Sequence, residues 1–198
     1  WSPDALCLIF DGGRFGQAHQ HEDKLSFELC AFGRPFIVDV GVYSYDDCWF
    51  REWSVLSQAH NTIMVDGAGQ CRWREDRDRW YGPTPVPARW VSGDPWDVAE
   101  ADFTGPFERP LGNVSVRRRV VFHQGTPPFW WVTDWAEGEG THELAELFHF
   151  AHDLADVATC PGGVRTRQPG GPDLAVLCLA GAPGAAAAAR VTHHRGER

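Results

Sequence analysis

The chain has 198 residues, of which 43% are hydrophobic, so it can bury a sizeable core without metals or disulfides. Its 27 acidic residues outnumber its 18 Lys and Arg and give a formal net charge of −9, which argues against nucleic acid as a partner. No apolar run is long enough to cross a bilayer, so no membrane span is predicted. The six cysteines are far apart and form no CxxC pair, which predicts neither a zinc ribbon nor a dense disulfide framework.

Short segments with period-two alternation, separated by Gly and Pro, predict strands through most of the chain. The first, at residues 5–10, ends at the turn residues Asp11, Gly12 and Gly13, and a hairpin follows that is broken near Gly33. No long amphipathic helix is predicted. In chain order the predicted strands are 5–10, 24–30, 36–40, 61–66, 116–122, 129–135, 142–150 and 174–180.

This succession of short strands predicts an all-β fold, an antiparallel sandwich or a closed barrel whose loops carry the function. We expect one domain over residues 1–181, followed by a low-complexity tail of Ala, Gly and Pro over residues 182–198. The chain begins at Trp1 with neither an initiator Met nor a leader, so we expect it to be a piece of a longer protein.

Aromatic residues make up 13% of the chain and include ten Trp, a content that suits strands as well as sugar-binding surfaces. We expect most of these tryptophans in the core. Two basic segments could bind a polyanion, but acidic residues interleave the first and the second alternates as a strand does, so both are predicted to be solvated faces. They are Arg72, Arg74, Arg77 and Arg79, and then Arg117 to Arg119.

Three polar elements stand out against these strands. His19 and His21 project to the same side of an extended segment, Asp39 interrupts the apolar run 36–40, and His60 precedes a strand. A buried carboxylate needs a cation or several donors, and imidazole with carboxylate is a common zinc ligand set. Alternatively, Asp39 accepts backbone N–H groups at a turn, and the histidines are solvated.

Spacing alone does not build this site. In a simple hairpin turning near Gly33, Asp39 lies opposite residues 25–27 rather than opposite His21. The chain before Lys24 must therefore fold back if His21 and Asp39 are to meet.

The order of these motifs resembles the C-terminal β-domain of the heparinase II/III-type polysaccharide lyases, which include heparinases and oligoalginate lyases. The resemblance covers residues 11–151 and departs from the family at Ala18, Gln20 and Val40. It is carried by QAHQHEDKLSF at 17–27, GRP at 33–35, VDVGVYSY at 38–45, SQAHNTIMVDG at 57–67, RRVVF at 118–122, VTDW at 132–135 and LFHF at 147–150.

This resemblance implies a large antiparallel β-sandwich, supersandwich-like, that packs against an N-terminal α/α toroid, with the substrate cleft between them. It implies β-elimination beside a uronic acid in acidic polysaccharides such as heparan sulfate or alginate. Matched residue by residue, the family's zinc ligands fall on His21, Asp39 and His60, and its substrate-facing catalytic histidine falls on His19. The family's Tyr acid/base and its carboxylate-neutralising residue come largely from the toroid.

Elimination requires that the uronate carboxylate be neutralised while a base takes the C5 proton and an acid protonates the leaving oxygen. The imidazole of His19 suits proton transfer or carboxylate binding. Further candidates for substrate contact, each equally explained as an ordinary loop or strand residue, are Arg14, Gln20, Tyr43, Tyr45 and Asn61.

The resemblance also sets the expected partners, namely an acidic polysaccharide and the toroid of the full-length enzyme, and a periplasmic or extracellular location. Two alternatives use the same residues differently. One is a non-catalytic carbohydrate-binding module that uses exposed tryptophans, and the other is a cupin-like metal enzyme with two His and one carboxylate on a barrel.

Overall fold

The computed structural model describes residues 2–15, 19–72, 88–154 and 156–179. Within them the chain is almost entirely antiparallel strand, with one short α-helix, α1 (Trp49–Ser54), and a 3-10 helix at Ser57–Ala59. The strands are β1 (Cys7–Phe10), β2 (Phe27–Ala31), β3 (Arg34–Ile37), β4 (Ile63–Val65), β5 (Ala88–Ser92), β6 (Trp96–Phe103), β7 (Ser115–His123), β8 (Phe129–Glu137), β9 (Leu144–Glu146), β10 (Val157–Cys160), β11 (Gly163–Thr166) and β12 (Ala175–Leu177).

The strands form four sheets, and all of their pairings are antiparallel. The sheet orders are β1-β2-β3, β4-β9, β5-β6-β7-β8 and β10-β11-β12. None of the described sheets closes on itself, which confirms the predicted sandwich and argues against the cupin-like barrel.

The hairpin β2–β3 shows why the chain turns where it does. Ala31 pairs with Arg34, so the loop has two residues, Phe32 and Gly33, with φ of 52° and 78°. Two positive φ values match the twist of the flanking strands. Arg34 and Pro35 therefore belong to β3, whereas the sequence placed them in the break.

Two apolar clusters join the layers. The first lies between β4 and the inner face of β6 and β7, and the second lies between β2–β3 and the inner face of β8. The first comprises Phe15, Leu25, Ile63, Val65, Phe107 and Val114 with Ala101, Phe103 and Val116 of the large sheet. The second comprises Phe27, Leu29, Ala31, Phe36, Ile37, Ala151 and Leu154, with Trp130 and Val132 packed against it.

Arg118 corrects the prediction that residues 117–119 form a solvated face. Its side chain is fully buried beside an equally buried Asp134, with Nε and Nη2 donating to the two carboxylate oxygens at 2.8 and 2.7 Å. Arg117 and Arg119 point to the opposite face of β7, where they pair with Asp102 and Glu100. The predicted alternation is correct, but it buries the middle arginine.

Other differences follow from local packing. The predicted strand 142–150 is reduced to Leu144–Glu146, and α1 was not predicted. The expectation that most tryptophans lie in the core is wrong for the described part of the chain, since five are exposed: Trp49, Trp90, Trp96, Trp131 and Trp135.

Several predictions fall outside the described residues. They concern the tail at 182–198 and three arginines of the first basic segment, Arg74, Arg77 and Arg79. Among the residues that are described, no helix has the length and apolar character needed to cross a membrane.

Candidate metal and substrate site

His60 and Asp39 form the centre of the site. His60 follows the 3-10 helix and is fully buried, and its Nδ1 lies 2.6 Å from Oδ2 of Asp39. Asp39 lies just beyond the end of β3, where its Oδ1 accepts a 2.8 Å bond from the Gly41 N–H. Burial opposes ionisation of this carboxyl group, but the hydrogen bond and charge of His60 and the Gly41 N–H lower its pKa. The Asp39 carboxylate thus contacts both an imidazole and a backbone N–H at a turn, which the sequence analysis had treated as alternatives.

His21 lies against His60, with the ring centroids 5.2 Å apart. Its side chain is buried, and its Nε2 is 3.2 Å from Nη1 of Arg51 on α1. Burial and then the charge of His60 lower the pKa of His21. A neutral imidazole is the form that donates to a metal ion.

Asp23 brings a second carboxylate to the two imidazoles. One ligand atom from each of His21, Asp23 and His60 lies within 4.8 Å of the others. Asp23 also lies 3.2 Å from Nζ of the buried Lys24, which pairs with Asp11 as well. Asp23 therefore joins the two imidazoles, whereas Asp39 contacts this group through Nδ1 of His60. The sequence had identified only Asp39.

The remaining nitrogen of His60 bears directly on whether this group fits a cation. Nε2 is buried and has no hydrogen-bond partner in the described part of the chain. Buried polar atoms are seldom left without a partner, and a bound water or ion is an ordinary partner for such an atom. The donor set, imidazole nitrogen and carboxylate oxygen, is one that zinc accepts.

A network of side-chain to backbone bonds folds the His21 segment back onto the His60 segment. The Glu22 N–H donates to the Val55 carbonyl at 2.9 Å, and Ser57 Oγ donates to the Glu22 carbonyl at 2.8 Å. Leu25 then adopts a φ of 66° before β2 begins. At this kink the chain departs from the path of a simple hairpin, so that His21 lies next to His60.

Gln70 secures the same loop from the other side. Its Oε1 accepts the Lys24 N–H at 2.9 Å, and its Nε2 donates to the Lys24 carbonyl at 2.8 Å. Thr62 Oγ1 donates to that carbonyl at 2.6 Å. Because these groups are buried, loss of the Gln70 amide would leave the Lys24 N–H without this partner.

An exposed group of side chains lies next to the buried cluster. His19 has a φ of 58°, and its ring meets the edge of Tyr45 at a centroid distance of 5.4 Å. The Arg51 guanidinium lies 5.4 Å from the Tyr45 ring centroid as well as beside His21. Arg51 therefore links the buried imidazoles to a solvent-facing histidine and phenol.

The other predicted contact residues have different environments. Tyr43 is exposed and packs on Phe50 at 4.6 Å. Gln20, which lies between His19 and His21 in the sequence, is half-buried, and so is Arg14, which precedes the core residue Phe15. Substrate contact by these three residues stays a prediction.

Asn61 has a structural role instead of the predicted substrate contact. It is fully buried, and its Nδ2 donates to the Phe27 and Val38 carbonyls at 2.9 and 3.0 Å. Its Oδ1 accepts the His149 N–H at 2.6 Å. The amide joins three backbone segments and cannot reach a polymer in solution.

Asp23 and Arg51 are the site residues that the sequence analysis missed. Asp23 follows His21 at the same two-residue spacing that separates His19 from His21, which was a usable signal. The sequence contained no signal for Arg51, because this residue lies on a six-residue helix with no clear apolar period.

Comparison with known proteins agrees with this architecture. A family model described as "Heparinase II/III-like, C-terminal" matches residues 1–196. The heparin-sulfate lyase of Pedobacter heparinus is 24% identical over 157 residues, which are 77% of this chain and 21% of that protein. The crystal structure of heparan sulfate lyase HepC from the same organism matches with a TM-score of 0.72 at 23% identity, over 92% of this chain and 27% of that one. A HepC mutant structure gives the same values.

The chain thus spans about a quarter of the length of these relatives. The structural match establishes the β-sandwich fold, and the family model covers nearly every residue. This chain therefore belongs to the heparinase II/III-like family and corresponds to its C-terminal domain.

Proposed function

We propose that this chain is the β-domain of a lyase that cleaves uronate-containing acidic polysaccharides by β-elimination. Family membership and the similarity to a heparin-sulfate lyase support this class of reaction. The observation that carries the proposal is that the exposed His19 and Tyr45 lie next to the half-buried Arg51, which contacts the buried His21.

The exposed group matches what elimination requires. Removal of the C5 proton leaves negative charge on the uronate carboxyl group, and we assign the Arg51 guanidinium, which lies against the Tyr45 ring, to that charge. Guanidinium binds carboxylate with two parallel hydrogen bonds. His19 is assigned to proton transfer at the sugar ring, and Tyr45 lines the cleft beside it.

Zinc at the buried cluster belongs to the same proposal. His21, Asp39 and His60 are the proposed ligands, but Asp39 bonds Nδ1 of His60 and could ligate an ion only at that nitrogen. An ion at Nε2 of His60 would instead take its carboxylate oxygen from Asp23, and Asp39 would orient the ring. The ion would act structurally by fixing the loop that carries His19. The buried Nε2 of His60, which has no hydrogen-bond partner among the described residues, supports the arrangement with the ion at Nε2.

The rest of the catalytic machinery is assigned to an N-terminal α/α toroid in the full-length protein. Both relatives are several times longer than the part that this chain matches. The proposed substrates are heparan sulfate-like or alginate-like chains. Polymers of this size do not cross membranes, so the proposed location is periplasmic or extracellular.

The test is an elimination assay on the full-length protein. Heparan sulfate, heparin and alginate are each offered, and the unsaturated uronate product is followed by its ultraviolet absorbance. We expect activity on at least one polymer, and we expect the isolated chain to give little or none. An inactive full-length protein that binds these polymers would refute the proposed reaction.

One observation favours a second function, a carbohydrate-binding module. The outer face of the large sheet exposes Trp96, Phe129 and Trp131, and His123 lies 4.3 Å from Trp96 by ring centroid. Aromatic faces of this kind can stack on sugar rings. If the module alone were the function, Trp131→Ala would abolish polysaccharide binding, and neither His19→Ala nor metal removal would change it.

A further inference from the structure

Cys7 and Cys30 are direct partners in the antiparallel ladder between β1 and β2. Both are free thiols; Cys7 is half-buried and Cys30 is exposed. Partners in such a ladder have Cα atoms about 4.5 or 5.5 Å apart. Both values lie within the range of about 4.4–6.8 Å that a disulfide spans.

The two side chains also share one face of the sheet. Residues of β2 alternate between buried and exposed, and Cys30 is on the exposed face together with Glu28. Cys7 projects to the same face as Ile9, which is exposed and pairs with Glu28. Directly opposed residues of an antiparallel pair point the same way, so the two side chains lie next to each other on this face.

We propose that Cys7 and Cys30 form a disulfide bond that ties β1 to β2 when the protein is exposed to an oxidising medium. β1 is the edge strand of its sheet and bonds only to β2 within the described residues. The covalent link would therefore fix the strand whose next residue, Asp11, pairs with Lys24 beside the histidine site. The proposal does not depend on zinc or on lyase activity.

The reaction needs an oxidant, for which a small-molecule disulfide suffices. One thiolate attacks a sulfur of the oxidant, the S–S bond of the oxidant breaks, and a mixed disulfide forms. The second thiol loses its proton, attacks the protein sulfur of the mixed disulfide and displaces the other half of the oxidant. Two protein thiols are oxidised, and one disulfide is reduced to two thiols.

The surroundings of the pair indicate a structural bond rather than a fast redox catalyst. Burial, then the charges of Cys7 and Glu28, raise the pKa of Cys30. Reactive cysteines have the opposite property, since they lie in electropositive surroundings that favour the thiolate. We therefore expect slow formation and stable retention.

The experiment treats the purified chain with oxidised glutathione, blocks the remaining thiols and maps the peptides without reduction. We expect a cross-linked peptide joining Cys7 to Cys30, with a mass about 2 Da below the sum of the two reduced peptides because two hydrogens are lost. Cys160→Ser is the matched control, because Cys160 has Gly163 as its ladder partner. This control should retain the cross-link, and Cys7→Ser and Cys30→Ser should lose it.

Thermal unfolding provides a second measurement. The oxidised chain should unfold about 5–10 °C higher than the reduced chain, and the difference should vanish in Cys7→Ser. The proposal is overturned if both thiols remain open to alkylation after oxidation, or if glutathione stays attached to either one. It is equally overturned if Cys7 links to other cysteines as readily as to Cys30.

Discussion

His60 and Asp39 are 21 positions apart in the chain, yet Nδ1 of the histidine lies 2.6 Å from Oδ2 of the aspartate. The bond joins a fully buried ring to a carboxylate that retains some solvent contact. It fixes the orientation of the imidazole and leaves Nε2 buried without a partner among the described residues. Histidine that binds metal is commonly held by a carboxylate in this way.

We predict that the purified chain binds about one zinc ion per molecule and that Asp39→Asn and His60→Ala each reduce zinc binding at least about 10-fold. The matched control is Asp46→Asn, because the Asp46 carboxylate accepts its 2.8 Å bond from Ser44 on an exposed loop. Metal content after dialysis and a competition titration measure the effect. Wild-type protein without zinc, or equal loss in the control, would remove the metal assignment.

The same titration assigns the carboxylates. Asp23 lies within 4.8 Å of His21 and His60 by ligand atoms, so Asp23→Asn should weaken zinc binding if this carboxylate contributes a ligand. If Asp23→Asn binds zinc as wild type does, Asp39 is the single carboxylate of the site.

A second prediction concerns the buried Arg118–Asp134 pair. Arg118 also donates through Nη1 to the Leu25 and Asn61 carbonyls at 2.9 and 2.6 Å, so it connects the large sheet to both site segments. Arg118→Met leaves Asp134 buried without its cation, and the free energy of unfolding should fall by about 3–5 kcal/mol. Denaturant titration measures this change.

Arg119→Met is the control for this prediction. Arg119 is partly exposed on the opposite face, where it pairs with Glu100. Exposed ion pairs contribute about 1 kcal/mol or less to the free energy of unfolding, so Arg119→Met should destabilise the chain much less than Arg118→Met. Equal destabilisation by the two substitutions would show that Arg118 is not the connection between the layers.

Much of the fold could be predicted because alternation and turn residues act locally. The hairpin at Gly33 and the strands at 116–122 and 129–135 followed from patterns within ten residues or so. Strand β5 and helix α1 could not be predicted from such patterns, because β5 is exposed throughout and α1 has only six residues. Short elements of this kind are stabilised by tertiary contacts, which a local pattern does not contain.

The sequence singled out three of the residues that lie together in the structure, but it could not show how the chain brings them together. Recognisable sequence motifs contain His21, Asp39 and His60. The hydrogen bonds that hold their segments together come from Ser57, Thr62 and Gln70. A buried amide or hydroxyl that binds a distant carbonyl leaves no periodic trace in sequence. For the same reason, Asn61 could be singled out but not assigned its structural role.

A third prediction concerns pH. His142 Nδ1 lies 2.7 Å from Asp66 Oδ2, and this bond, then the Glu139 carbonyl, raise the pKa of His142 above 6.5. A raised pKa means that the folded chain holds the proton more tightly than the unfolded chain does. While Asp66 is ionised, the stability that the His142 proton contributes is therefore fully present below pH 6.5 and is lost as pH rises through the folded-state pKa of His142.

NMR titration of the histidine ring measures this pKa. In Asp66→Asn the pKa of His142 should fall towards the unperturbed value, and the part of the stability that declines above neutral pH should disappear. The exposed His152 supplies a control signal in the same spectrum. Unchanged titration of His142 in Asp66→Asn would contradict the assignment of the shift to that carboxylate.

The last prediction tests Arg51 in the full-length enzyme and rests on the proposed elimination. Arg51 lies between the Tyr45 ring and Nε2 of His21, which places its charge at the boundary of the buried and exposed groups. Arg51→Gln should lower kcat/KM by a factor on the order of 100, which is typical for loss of one group that stabilises charge in a transition state. Arg51→Lys should recover part of this loss because it keeps the charge without the planar fork.

Two measurements separate this role from a structural one. Arg34→Gln is the matched control, since Arg34 bonds Gln168 and Asp153; this substitution should leave kcat/KM near wild type. Zinc content and unfolding temperature should be the same in Arg51→Gln and Arg51→Lys, because neither substitution removes a proposed ligand. If Arg51→Gln loses zinc as well as activity, Arg51 positions the imidazoles. If it retains full activity, the carboxylate of the substrate is neutralised by another group, and the toroid becomes the place to search for it.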